Sequence, residues 1–408
     1  MLTREACMKI THITATAIKT PFAQDYWGRE AWNDDYEPRI RQGPDLDQTY
    51  PDRWRVRHRW STEISTVLIK LETDEGITGI GESKAPVSPH AVKNYIDTNL
   101  SPWLTGKNPF TVKVLWDHYM ASMRGRGHIQ GLHQEAAAGL DIACWDIIGK
   151  ASNRPLYEIL GGPFRTYIPV YYSGIAGLRN EREDKERERL ARSVENVLAQ
   201  GHNAVKIAIG FGARSDLASV NLVRELAGNN ILILVDALGS YDYAHALALS
   251  KQLAEAGVGW FETPLRIDDF AGYIELSRHS PIPIANDFLW TVGLLKDLLA
   301  QGCRMVCVPE TIKSGITETI RIAELADTFG CGFAPHCSIG STIEFAANAH
   351  VAASVPNLVI SEYWANDNVL TKELFTPTVE VSRGHIEPPT GPGLGLTINA
   401  DILTQVSD

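Results

Sequence analysis

Apolar and polar residues alternate from Lys9 to about Phe22 and again from Glu63 to Glu82. The second run is interrupted at Thr73-Asp74-Glu75-Gly76, residues suited to a tight turn. This pattern predicts an antiparallel meander. The period then lengthens to that of helices, over His90 to Trp103, Phe110 to Met123 and Leu132 to Ala151, the last stopped near Asn153-Arg154-Pro155. Strands followed by helices describe a segregated α+β unit.

After Gly161-Gly162-Pro163 short apolar runs alternate with amphipathic stretches. The predicted strands are Ile168 to Tyr172, Ala204 to Ile209, Ile231 to Val235, Val258 to Phe261, Ile282 to Ala285, Met305 to Val308, Gly332 to Ala334 and Leu358 to Ile360. Near-continuous apolar strands separated by helices mean a parallel sheet with both faces covered. Eight such units fit a (β/α)8 TIM-type barrel, whose chemistry sits at the C-terminal strand ends. The alternation stops at Trp364, and Gly391 to Asp401 (GPGLGLTINAD) reads as a turn-rich return onto the first unit. The expected organisation is a capping α+β domain over 1–162, a barrel over 163–363 and a returning tail over 364–408. Arg179 to Arg192 (RNEREDKERERLAR), with alternating signs at helical spacing, is expected to be a solvated helix face.

Composition narrows the function. A chain of 408 residues, 44% of them hydrophobic, has material for a barrel and one smaller domain. Lys plus Arg number 38 against 49 Asp plus Glu, and a net charge of −11 argues against a nucleic-acid surface. The basic aromatic patch Arg53 to Trp60 (RWRVRHRW) is expected to be a packed or substrate-facing loop. The six cysteines form no CxxC pair, which suits reduced thiols. MLTREACMKITHI has no signal-type apolar segment and no apolar run is long enough to span a bilayer, so a cytoplasmic protein without a membrane anchor is expected.

Ionisable residues recur where the predicted barrel strands end: Lys206, Asp236, Glu262, Asn286 or Asp287, Glu310, His336 and Glu362. Groups on consecutive strands of a barrel converge on one mouth. Carboxylates so arranged, with Asp236 and Glu262 the firm pair, suit a hard cation such as Mg²⁺. His336 lies one unit after Glu310, so a carboxylate can hold its tautomer and raise its basicity.

The residues resemble the mandelate racemase subgroup of the enolase superfamily over nearly the whole chain. The resemblance is carried by TDEGITGIGES, AAAGLDIACWDIIGKASNRPLYEILGG, GHNAVKIAIGFG, ILILVDALGSYD, WFETPL, PIPIAND, VPETIKSGITE, APHCSIGS, SEYW and GPGLGL in that order. It implies Mg²⁺-assisted removal of the proton α to the carboxylate of a small-molecule substrate, and a homo-oligomer. It also implies Asp236 and Glu262 as metal ligands, Lys206 as the first lysine of a KxK pair, His336 as acid and base with Glu310 as its partner, and Glu362 as a contact of the substrate carboxylate.

Four positions depart from that pattern. Ala208 replaces the second lysine of KxK, which argues against a reaction needing bases on both faces of the substrate. The third metal-ligand place falls on Phe288; Asn286 shares the strand face of Phe288, and Asp287, the assigned ligand because a dication favours charge, is expected to need a bulge or the end of the strand to turn inward. Glu310 is one methylene longer than the aspartate of the pattern, and Leu238 replaces the asparagine of VDAN. The resulting expectation is an acid-sugar dehydratase acting on an aldonate or aldarate, with Tyr26 to Trp32 and Arg53 to Trp60 closing over the polyol. The alternatives are a one-base isomerase or cycloisomerase of a sugar acid or lactone, and a catalytically impaired member with a binding role.

Overall fold

The computed structural model describes residues 7–21, 63–338, 340–364 and 368–408. The strands β1 (Ile10–Pro21), β2 (Glu63–Thr73) and β3 (Thr78–Lys84) form the predicted antiparallel meander, in the order β1-β2-β3. Its turn is the predicted one, closed by the Thr73 and Ile77 backbones, with Gly76 at φ 77°. The helix Leu132–Ala151 has the predicted bounds and is apolar on nearly every face, because it lies between β3 and the barrel helix Thr311–Thr328. Close approach to β3 requires glycine: a Cβ at Gly81 would stand 2.0 Å from the Gly139 carbonyl oxygen. The segment predicted as one helix from His90 to Trp103 is three contiguous helical pieces, Pro89–Tyr95, a π turn over Ile96–Leu100 and Ser101–Leu104.

The barrel strands are β4 (Ile168–Ala176), β5 (Ala204–Ala208), β6 (Leu232–Asp236), β7 (Val258–Glu262), β8 (Ile284–Asn286), β9 (Val306–Cys307) and β10 (Ser361–Trp364). They are parallel and ordered β10-β4-β5-β6-β7-β8-β9. The predicted strand Gly332 to Ala334 is reduced to bridges, Phe333 pairing with Cys307 on one side and Leu358 on the other, and these close the ring. The last strand is also displaced: Leu358 holds only a bridge, and the ladder to β4 begins at Ser361. Inside the ring Tyr171, Ala204, Leu234, Trp260, Ala285, Val308, Ala334 and Ile360, from successive strands, pack into one apolar layer. That layer plugs the barrel below its mouth.

Cap and barrel are joined by buried polar contacts. Asp141 in the long cap helix accepts from the Thr317 amide at 2.9 Å and its hydroxyl at 2.6 Å. Space for this carboxylate exists because the barrel helix breaks at Gly315, φ 70°, where a Cβ would stand 2.8 Å from Asp141 Oδ2. Glu82 accepts from the amide and hydroxyl of Ser341, which also caps the helix Thr342–Ser354. The tail returns to the cap through Asp146, which accepts from the amides of Leu394 at 2.8 Å and Ile80 at 2.9 Å. The charged run is less solvated than its alternation suggests. Glu186 is buried and binds Arg179 and Arg189, because the helix Asp184–Ala199 starts only after a loop that folds back on it. Among the described residues no helix is long and apolar enough to cross a membrane.

Candidate active site

Side chains two apart on a strand share a face. Two residues beyond the members of the apolar layer stand Lys206, Asp236, Glu262, Asp287, Glu310, His336 and Glu362, all buried. The mouth is therefore the next inward layer of the same ring. At strand five the structure takes the second of the two expected routes, since β8 ends at Asn286 and Asp287 stands just past the strand end; the expected inward face of Asn286 and Phe288 is corrected. Ala285 belongs to the inner layer, so Asp287 follows it inward without a bulge, and Asn286 and Phe288 belong to the other alternation. Asn286 Oδ1 instead accepts from the Phe288 amide at 2.8 Å, while Asp287 Oδ1 accepts from the Thr263 hydroxyl at 2.7 Å.

Lys206 rises between two carboxylates, Nζ lying 2.9 Å from Glu262 Oε1 and 3.0 Å from Glu362 Oε1, and over the Tyr171 ring. Burial alone would lower its pKa, but Glu262 and Glu362 outweigh burial and hold the ammonium charged. Ala208, the other inward position on β5, is registered with Asp236 and brings no ionisable group.

His336 is the hub of the opposite wall. Its Nδ1 is 2.9 Å from Glu310 Oε2, and its Nε2 is 3.3 Å from Glu362 Oε2 and 3.8 Å from Asp287 Oδ2. Burial disfavours the charged ring, yet Glu362 and Glu310 raise its pKa to about 9. Glu310 is pushed up by burial, but Lys313 and Lys84 hold it well below the usual carboxylate range. In metal-free protein the stabilisation from charged His336 is complete below the ordinary histidine value and is lost as pH rises through about 9. NMR titration of the imidazole is expected to show that midpoint, and saturating Mg²⁺ at the neighbouring carboxylates to move it toward neutrality. A midpoint unaffected by Mg²⁺ would count against a cation beside this ring.

The donor chemistry fits a dication. Burial, then Glu262 and Asp287, push the Asp236 carboxyl well above its usual range; burial and Asp287 also raise Glu262, with Lys206 opposing. Mutual repulsion of this kind is relieved by a bound cation. Among the described residues one trio of possible ligand atoms, from Glu262, Asp287 and His336, lies within 4.8 Å. Asp236 is outside that trio. Its Oδ1 is turned by the Leu238 amide at 2.8 Å, and Leu238 holds φ 51°. A left-handed leucine costs about 1 kcal/mol, a penalty that the asparagine of the resembled pattern would largely avoid.

Two cations in the cluster, Lys84 and Lys313, escaped the sequence reading. Lys84 belongs to the cap and Lys313 lies three residues past Glu310, so neither shared the spacing that singled out the others. Tyr26 to Trp32 and Arg53 to Trp60 lie outside the described residues.

Comparison with known proteins decides the family. The model of the mandelate racemase / muconate lactonizing enzyme N-terminal domain matches residues 54–161, and that of the enolase C-terminal domain-like unit matches residues 189–402. This chain belongs to the mandelate racemase / muconate lactonizing enzyme family. Within it, D-galactarolactone cycloisomerase of Agrobacterium fabrum is 31% identical over 350 residues, covering 83% of this chain and 90% of the relative. Arabinonate dehydratase of Saccharolobus solfataricus is 30% identical over 344 residues, with the same coverages of 83% and 90%. The crystal structure of a mandelate racemase/muconate lactonizing protein from Paracoccus denitrificans, complexed with magnesium, matches at TM-score 0.81 and 25% identity over 98% of each chain. The protein is thus an enzyme of the mandelate racemase group, with the TIM-type barrel and cap of the enolase superfamily.

Proposed function

We propose that the protein dehydrates an acid sugar, an aldonate or aldarate, to a 2-keto-3-deoxy acid. The observation that carries this reading is the asymmetry of the mouth. One wall presents an imidazole backed by a carboxylate, His336 on Glu310; the other presents Lys206 held as an ammonium by two carboxylates, with Ala208 beside it. A lysine kept charged is a poor base, so proton traffic falls to His336. Dehydration suits one such group, because the proton it takes from the α-carbon can be handed to the departing β-hydroxyl. The chain also aligns with a dehydratase of arabinonate over most of its length.

In this reading Asp236, Glu262 and Asp287 would hold Mg²⁺. When bound, the dication supplies stabilisation of the negative charge that develops on the substrate carboxylate as the α-proton leaves. Lys206 adds a fixed positive charge beside that carboxylate. Glu310 holds Nδ1 of His336, leaving Nε2 directed into the mouth for the proton transfer. Glu362, which accepts from the Cys337 amide at 3.1 Å, fixes the near side of the substrate pocket and faces both Lys206 and His336.

The test is incubation with a library of aldonic and aldaric acids in Mg²⁺, with semicarbazide detection of 2-keto-3-deoxy acids. Product from at least one member is expected; no product from any member overturns the proposal. A second reading, one-base isomerisation of a sugar lactone, is favoured by the match to D-galactarolactone cycloisomerase and uses the same His336. Proton NMR in D₂O separates the two, because isomerisation yields no 2-keto-3-deoxy acid.

A further inference from the structure

We propose that Lys84, which the cap sends into the barrel mouth, is a positioning residue for the Glu310–His336 pair and compensates for the extra methylene of Glu310. The inference rests on the proton-transfer role proposed for His336.

A glutamate has one more rotatable bond than an aspartate, so it needs more contacts to hold an imidazole at one angle. Glu310 has them. Its Oε2 receives His336 Nδ1 at 2.9 Å and Lys313 Nζ at 2.7 Å; its Oε1 receives Lys84 Nζ at 2.5 Å and the Ser338 hydroxyl at 3.4 Å. Lys84 also donates to Ser338 Oγ at 2.5 Å, so Lys84, Glu310 and Ser338 close a ring two residues from His336. The side chains of Lys84 and Glu310 are 1% and 0% exposed. A charge pair that dry is directional and sensitive to the loss of either member.

This pair is not the sole buried polar contact between cap and barrel among the described residues. Glu82 with Ser341 and Asp141 with Thr317 join cap to barrel elsewhere. Lys84 alone among these cap groups touches the carboxylate that holds His336. Its position therefore links the seating of the cap to the aim of the imidazole.

The experiment is a double-mutant cycle with a crystallographic arm. In the wild-type background Lys84→Met is expected to lower kcat by about 30-fold with KM changed less than about threefold, the size of loss that small misplacement of a reacting group produces. In a Glu310→Asp background, where the carboxylate withdraws from Lys84, the same substitution is expected to cost less than about threefold. Equal losses in both backgrounds would mean independent effects and would overturn the proposal. In crystals of Lys84→Met the Glu310 carboxylate is expected to turn and the His336 Nδ1 contact to lengthen beyond hydrogen-bonding distance; an unmoved ring overturns the proposal. This arm needs no substrate, so wild-type protein inert toward every sugar acid would sink the dehydratase reading while leaving the crystals to judge Lys84. Lys84→Gln, which keeps an amide for Ser338, is expected to give the same two results should the methionine variant not fold.

Discussion

His336→Asn is expected to lower turnover by about 10⁴-fold or more while leaving Mg²⁺ affinity within a few-fold. General acid–base catalysis contributes about 10² to 10⁴ per proton transfer, and in the proposed dehydration one imidazole would serve both the removal and the return of the proton. Steady-state rates on the best sugar acid, with calorimetric Mg²⁺ titration of the same variant, measure both quantities. Retention of turnover within about tenfold would transfer the role of base to another group. Lys206 is the only competitor on the mouth's other wall among the described residues, and two carboxylates at 2.9 and 3.0 Å keep it charged.

Asp287→Asn is expected to weaken Mg²⁺ binding by more than about 100-fold. Loss of a partner behind a ligand typically costs about 10- to 100-fold, and loss of a charged ligand from a set of three exceeds that. Asn286→Ala is the matched control. Its amide is turned to the Phe288 backbone, so affinity is expected to remain within about twofold. Calorimetry on both variants decides the matter. The opposite ranking, with Asn286 the sensitive residue, would place the third ligand where the simple strand-face argument had left room for it and would refute the inward assignment of Asp287.

Much of the site was legible because ionisable residues at one position in each βα repeat stand out against apolar strands. Asp236, Glu262, His336 and Glu362 were found this way, and all lie in the inward layer at the mouth. At strand five Asp287 was the assigned residue, but which face its neighbours Asn286 and Phe288 share was misjudged for a physical reason. In PIPIANDFLW the phase of a three-residue strand, Ile284–Asn286, cannot be counted reliably from its own residues, and a phase error of one exchanges inside for outside. Lys84 was invisible for another reason. It lies on a cap strand 226 residues before Glu310, and nothing local marks a lysine that ends beside a distant carboxylate. The run from Arg179 to Arg192 shows the limit of charge patterning, since alternating signs describe equally a wet helix face and a buried Glu186 clamped by two arginines.

Hydrophobic periodicity was sufficient to specify a meander, a long apolar helix and a repeated strand-helix unit, since these depend on nearest neighbours along the chain and on which face must avoid water. It was sufficient also to list the carboxylates and the histidine that a barrel would gather. Tertiary structure decided which way each points. Closure of the ring made one apolar layer from Tyr171 to Ile360, and that layer set the phase of every strand, placing Asp287 inside and Asn286 outside. Docking of the cap then brought Lys84 to Glu310, a pairing of charges that becomes strong only when both have been taken out of water.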